Sequence, residues 1–157
     1  MAFYLQIPGI KGSATDSQHK EWIGFHALHF NTFTSVHVSP GQVHNRSSSK
    51  PSISHFVLSK LADNASPKLL EANLGGKVFS KVVIHVCQGA QKPVIEYTLS
   101  NVVVCHYDIQ ASVSVSSTHE RLVEQFSLNA IEIEMRYFPQ NGTPISTSYD
   151  QETAQLG

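Results

Sequence analysis

Charge is scarce in this chain. Of its 157 residues only 15% are Asp, Glu, Lys or Arg, against roughly a quarter in ordinary globular domains. The net charge is −1 and the 11 Lys and Arg are scattered, so the concentrated basic footprint that nucleic acid requires is missing. Cysteine occurs twice, at Cys87 and Cys105, too few for a disulfide framework. No apolar run approaches the roughly 18 residues of a membrane-spanning helix. The opening MAFYLQIPGIKG has no basic region before its apolar stretch, so it does not read as a secretory signal, and folding in the cytoplasm is the expectation. A glycine-rich phosphate loop and a nucleophile elbow are also missing.

What fills the space is neutral and polar. Twenty serines, with many Thr, Asn and Gln, leave a weakly charged surface that suits subunit contacts and a solvated exterior equally. The length fits one domain over 1–157, large enough to bury a core without covalent staples. Polar stretches at 39–54 (SPGQVHNRSSSKPSIS) and 111–120 (ASVSVSSTHE) read as long loops or partly ordered extensions.

The remainder is β-rich. Residues 78–107 read as two strands around a turn containing Gly89 and Pro93. If Cys87 faces Val94, then Val82, Ile84, Val86, Ile95, Tyr97 and Leu99 share one face, while Val83, His85, Cys87, Glu96, Thr98 and Ser100 share the other. The first face is core; the second is too mixed for plain solvent surface. In 122–138, Ile131, Ile133, Met135 and Tyr137 alternate with Glu132, Glu134 and Arg136, as in a half-buried antiparallel strand. Phe126 and Leu128 have the opposite parity, which places a bulge near Asn129–Ala130. One helix is expected: Ser66 as cap, Pro67 at its first position, Gly75 closing it, and Leu69, Leu70 and Leu74 as the apolar stripe. Many strands and one short helix give a mainly β fold, a small antiparallel β-barrel of two packed sheets with the helix alongside.

Nine histidines suggest a metal, but no two are two or four apart, the spacing that puts ligands on one strand face. His26 and His29, three apart, sit in FHALHFNTF among aromatic and β-branched residues. In the hairpin register Cys105 falls opposite position 76, about 11 residues of ~3.3 Å from Cys87, well beyond the ~7 Å that a disulfide spans. Glu132 and Glu134 share a strand face but lack the cleft of a glycosidase pair. No metal, cofactor or catalytic residue is therefore assigned.

The ordered segments resemble the haemolysin-coregulated (Hcp) proteins, inner-tube subunits of the bacterial type VI secretion system. IKGSATDSQHKEWI (10–23) is similar to the family's I-x-G-(Glu)-Ser-x-Asp-x-x-His-x-x-Trp-Ile segment between its first two strands. ISHFVLSKLADNASPKLLEANLGGKVFSKVVIHVCQGA (53–90) resembles its order of strand, short helix and Lys-x-x-x-Lys strand. IEYTLSNVVVCHY and FSLNAIEIEMRYFPQNG resemble its remaining core strands. Ser13 stands where many members carry Glu, Gly24 follows Trp-Ile where an acidic residue is common, and Tyr149–Asp150 replaces a Gly-Trp-Asp type tail.

The resemblance implies a structural subunit with no enzymatic core. Such subunits form homo-hexameric rings that stack into a tube, driven out by a contractile sheath behind a spike protein, with small effector proteins in the channel. Export would need no cleavable signal, and neither membrane insertion nor nucleic-acid binding is implied. Within the 39–54 loop, Val43, His44, Asn45 and Arg46 are the expected ring-stacking contacts. Asp16 and Ser17 are expected to make turn hydrogen bonds, and Trp22 and Ile23 to anchor the next strand. The alternatives are a monomeric β-sandwich module binding a glycan or protein ligand, and a metal-dependent hydrolase built from scattered histidines.

Overall fold

The computed structural model describes residues 1–38, 40–41, 46–48, 50–89, 92–116 and 120–157. Among them the chain forms β1 (Ala2–Gln6), β2 (Ile23–Phe25), β3 (Ala27–His29), β4 (Thr32–Phe33), β5 (Val36–Val38), β6 (Arg46–Ser48), β7 (Ser52–Ile53) and β8 (Phe56–Leu61). After these come α1 (Ser66–Gly75), β9 (Val78–Cys87), β10 (Pro93–Val113), β11 (Glu120–Tyr137), β12 (Ile145–Asp150) and β13 (Gln155–Leu156). Nine strands make one sheet in the order β13-β12-β11-β10-β9-β1-β2, with β8 paired to both β11 and β3. Every ladder is antiparallel.

The sheet curls round almost to a barrel. From β11 the ladders run through β10, β9 and β1 to β2, and from β11 the other way through β8 to β3. No ladder joins β2 to β3; the chain itself bridges them at His26, whose N–H donates to the Ser59 carbonyl at 2.9 Å. The barrel is thus not closed by ladders all the way round. Two layers arise because three strands turn over on one line. On β9 the buried residues change parity between Phe79 and Val82, on β10 between Leu99 and Val102, and on β11 between Ala130 and Ile133. Ser80, Asn101 and Ile131 stand opposite one another there, unpaired between flanking rungs, with Asn101 at φ +53°. Such a shared bend lets one strand serve both layers.

The hairpin register is the expected one from Val86↔Ile95 onward, and it shifts only at the turn, where Cys87 pairs with Pro93. Cys87 is consequently buried rather than on the mixed face. The parity change expected near Asn129–Ala130 is real but falls at Ile131 and is no bulge in β11. The register shift on this pair lies on β10, between Val104 and His106. α1 starts at Ser66, so Ala65 is the cap residue, and Gly76 (φ +59°), not Gly75, ends it. The Gly76 and Lys77 N–H groups return to the Asn73 and Ala72 carbonyls at 3.4 and 3.2 Å, a left-handed closure that glycine adopts without Cβ strain. The buried stripe is Leu69 and Ala72; Leu70 and Leu74 face outward. Asn73 fastens α1 to the sheet by donating to the Val104 carbonyl at 2.8 Å, beside the β10 irregularity.

Part of the region expected as a long loop or partly ordered extension over 39–54 pairs back on 32–38 as an arm. Thr32 and Phe33 pair with Ile53 and Ser52, and Val36–Val38 with Arg46–Ser48. Likewise β10 runs to Val113, which shortens the loop expected over 111–120. The core gathers Leu5, Ile23, Phe56, Leu58, Leu69, Val82, Ile84, Leu99, Phe126 and Leu128, none more than 1% exposed.

Candidate functional site

The opening loop carries the densest polar chemistry. Gly12 lies against the chain's return: a Cβ there would come 2.2 Å from the Trp22 carbonyl. The close approach lets Gly12 N–H donate to Glu21 (2.8 Å) and Ala14 N–H to Trp22 (3.1 Å). The loop thereby aims His19 at β9. Its Nδ1 lies 2.5 Å from Asp16 Oδ2, and its Nε2 lies 2.9 Å from His85 Nδ1. His85 Nε2 in turn lies 2.8 Å from Glu96 Oε2 on β10. Glu96 Oε1 sits 3.7 Å from Arg136 on β11, which also holds Glu134 at 3.2 Å. Tyr4 stacks flat on His19 with centroids 4.1 Å apart, and Trp22 packs against both imidazoles at 4.9 and 4.8 Å.

Burial sets the electrostatics of this cluster. It pulls the His85 imidazole below its ordinary value of 6.5, against the bond to and charge of Glu96, and the neighbouring His19 lowers it further. Burial also pushes up the Tyr4 phenol and the Cys87 thiol, in both cases helped by the Asp16 charge. Cys87 is therefore a protonated, buried thiol, unsuited to nucleophilic work. Both cysteines are free.

A second cluster lies beside the first residue of α1, and sequence reasoning missed it. Lys60 on β8 and Glu124 on β11 are each fully buried, with Nζ 3.0 Å from Oε1. The contact is an ion pair, since Oε1 receives no well-aligned hydrogen bond. Lys60 donates to Asp63 Oδ1 (2.7 Å), the Leu61 carbonyl (3.0 Å) and Ser66 Oγ (3.3 Å). Glu124 Oε2 accepts from the Tyr107 hydroxyl at 2.7 Å. Burial, then that bond and charge, push the Tyr107 phenol up to about 12. The signal was in the pattern: Lys60 shares parity with core residues Phe56 and Leu58, and Glu124 with Phe126 and Leu128.

Sequence candidates fare differently. Val43, His44 and Asn45 lie outside the described residues; Arg46 is seen as backbone paired with Val38 in the arm. His26 and His29 are exposed on β2–β3 and do not converge. Glu134 is tied to Arg136, and Glu132 faces Asp150 across the ladder. Among the described residues no three His, Cys, Asp or Glu side chains come together as metal ligands, and no helix is long and apolar enough to cross a membrane. An apolar concavity of about 510 Å³ opens where the arm leaves the sheet; Phe30, Ile53, Tyr97, Ile133, Met135 and Leu156 line it. On the arm itself Phe33 is 63% and Val36 52% exposed.

The family model described as the type VI secretion system effector, Hcp, matches residues 4–137. No curated protein matches the chain. A solved structure described as a type six secretion system protein superposes with a TM-score of 0.88, at 22% identity over 99% of each chain. Hcp1 from Salmonella typhimurium gives 0.82 at 21% identity, covering 99% of this chain and 97% of its own. A type VI secretion system effector from Yersinia pestis gives 0.77 at 24%, over 94% and 98%. These likenesses show a shared fold, and the family match spans both the 11–22 loop and the three bent strands: the chain belongs to the Hcp family of the type VI secretion system.

Proposed function

We propose that this Hcp-family chain acts as one domain over 1–157, a structural subunit of the secretion inner tube that closes into a homo-hexameric ring. The observation that carries this reading is a pair of unlike surfaces. An arm exposing Phe33 and Val36 projects beside an apolar concavity of about 510 Å³. A closed ring needs two different, complementary patches on every copy, and apolar area of this kind marks contact surfaces. Stacking of ring on ring is assigned to Val43, His44 and Asn45, between β5 and β6 in sequence, and to Arg46, the first residue of β6. Small effectors would travel in the channel, with the spike and contractile sheath as the other partners. The subunit would fold in the cytoplasm, leave without a cleavable signal and catalyse nothing. Negative-stain electron microscopy tests the ring: closed, sixfold particles are expected, and a field of isolated single subunits at micromolar concentration would refute it.

A further inference from the structure

We infer that His19 and His85 together hold one proton more than two neutral imidazoles carry, and that this shared proton docks the 11–22 loop onto the sheet, so that docking is tightest in a middle pH window. The reasoning is a proton count. Three contacts run in series: Asp16 to His19 at 2.5 Å, His19 to His85 at 2.9 Å, and His85 to Glu96 at 2.8 Å. Each hydrogen bond needs one proton, and ionised carboxylates at the two ends supply none. Two neutral imidazoles bring two protons for three bonds. One contact would then set lone pair against lone pair. Four protons would set N–H against N–H. Only three protons satisfy the chain, wherever along it the third one rests.

The surroundings favour the third proton. Asp16, Glu96 and Glu134 face the relay from the loop, β10 and β11, and Arg136 is the sole fixed cation among them. Three carboxylates and one guanidinium leave −2, which the proton reduces to −1. From β1 and β9 come only Tyr4 and Cys87, both kept neutral by burial. Lys11 and Glu21 pair with each other at 3.3 Å at the loop's exposed side. His19 is 1% exposed, so water cannot replace a lost partner and a broken bond is felt in full.

This chain of contacts ties the loop to β9 through short hydrogen bonds. Two further ties from the loop are long: Ser13 to Asp63 and Asn64 to the Gly12 carbonyl, both at 3.4 Å. Loss of the shared proton at high pH, or gain of a fourth at low pH, removes the central bond and loosens the loop. Trp22, the only tryptophan, lies on both imidazoles and reports the change. The inference stands whether or not the ring forms.

The test is nitrogen-15 magic-angle-spinning NMR of the sedimented full chain, labelled at histidine and held at neutral pH. His19→Gln and His85→Gln assign the signals. Three protonated ring nitrogens out of four on His19 and His85 are expected; two out of four would overturn the inference. Trp22 emission and amide exchange at Gly12, Ala14, Glu21 and Trp22, corrected for intrinsic rates, should show a plateau bounded on both sides. Exchange should quicken about tenfold or more beyond each edge, the effect of one lost charge-assisted hydrogen bond. A flat or one-sided profile in wild type would overturn the docking role. In His85→Gln, whose amide can donate to His19 without an extra proton, the alkaline edge should vanish. Should that variant fail to fold, the wild-type proton count still decides.

Discussion

Lys60 and Glu124 meet with neither side chain exposed to solvent, so replacing Lys60 by methionine is a severe perturbation that leaves size almost unchanged. Lys60→Met removes the cation and leaves the Glu124 carboxylate buried, with one hydrogen bond from Tyr107. Breaking a buried pair on one side costs about 3–5 kcal/mol. For a chain of this length that lowers Tm by roughly 6–20 °C, at about 2–4 °C per kcal/mol. Adding Glu124→Gln removes the orphaned charge while keeping an oxygen to accept from Tyr107, so the double variant should regain most of the loss. Guanidinium melts at one fixed protomer concentration measure this, because assembly would make apparent stability depend on concentration. A double variant no more stable than Lys60→Met alone would refute the reasoning. It would show that the buried charge is not the source of the cost.

The other predictions concern the backbone and pH. Gly12→Ala should destabilise by at least about 2 kcal/mol, since its Cβ would meet the Trp22 carbonyl at 2.2 Å; denaturant melts check this. Gly75 has open space and a helical conformation, so Gly75→Ala should stabilise by up to about 1 kcal/mol. Gly76→Ala, at φ +59°, should instead cost about 1–2 kcal/mol, and equal effects of the two substitutions would contradict the helix end described. His85 is held below 6.5 in the folded chain. The unfolded chain therefore takes up the proton first, and stability present above about 6.5 should fall as pH drops through and below it. His85→Gln should flatten that acid slope, which urea melts from pH 7.5 to 5 can measure.

Much of the sheet was legible because alternation carries both face and register. The face Val82, Ile84, Tyr97 and Leu99 is core, and the register that put His85 opposite Glu96 gives the 2.8 Å contact seen. The helix ends were off by one residue, since consecutive glycines at 75 and 76 offer two closures and only backbone geometry selects between them. Leu70 and Leu74 were misread as buried because helix spacing alone does not say which stripe meets the sheet. The relay's other half was hidden by distance: Asp16 and His19 stand three apart in a turn, but His85 reaches them only through pairing of β1 with β9. Lys60 and Glu124 escaped because charge in a strand ordinarily marks the solvent face. Parity with Leu58 and Phe126 marked them as inward. The arm's strands went unread, its stretch being expected as a long loop or partly ordered extension, because its serines and prolines are poor strand formers. Its rungs are only two and three residues long.

The ring is the central claim, and the mass of the intact protein in solution tests it most directly. Light scattering on the peak from a sizing column, at two loading concentrations, should return six times the 17.3 kDa subunit, about 104 kDa, at both. A mass of one subunit at both concentrations would contradict the account, and a saturable glycan or protein ligand on that monomer would point to a binding module instead.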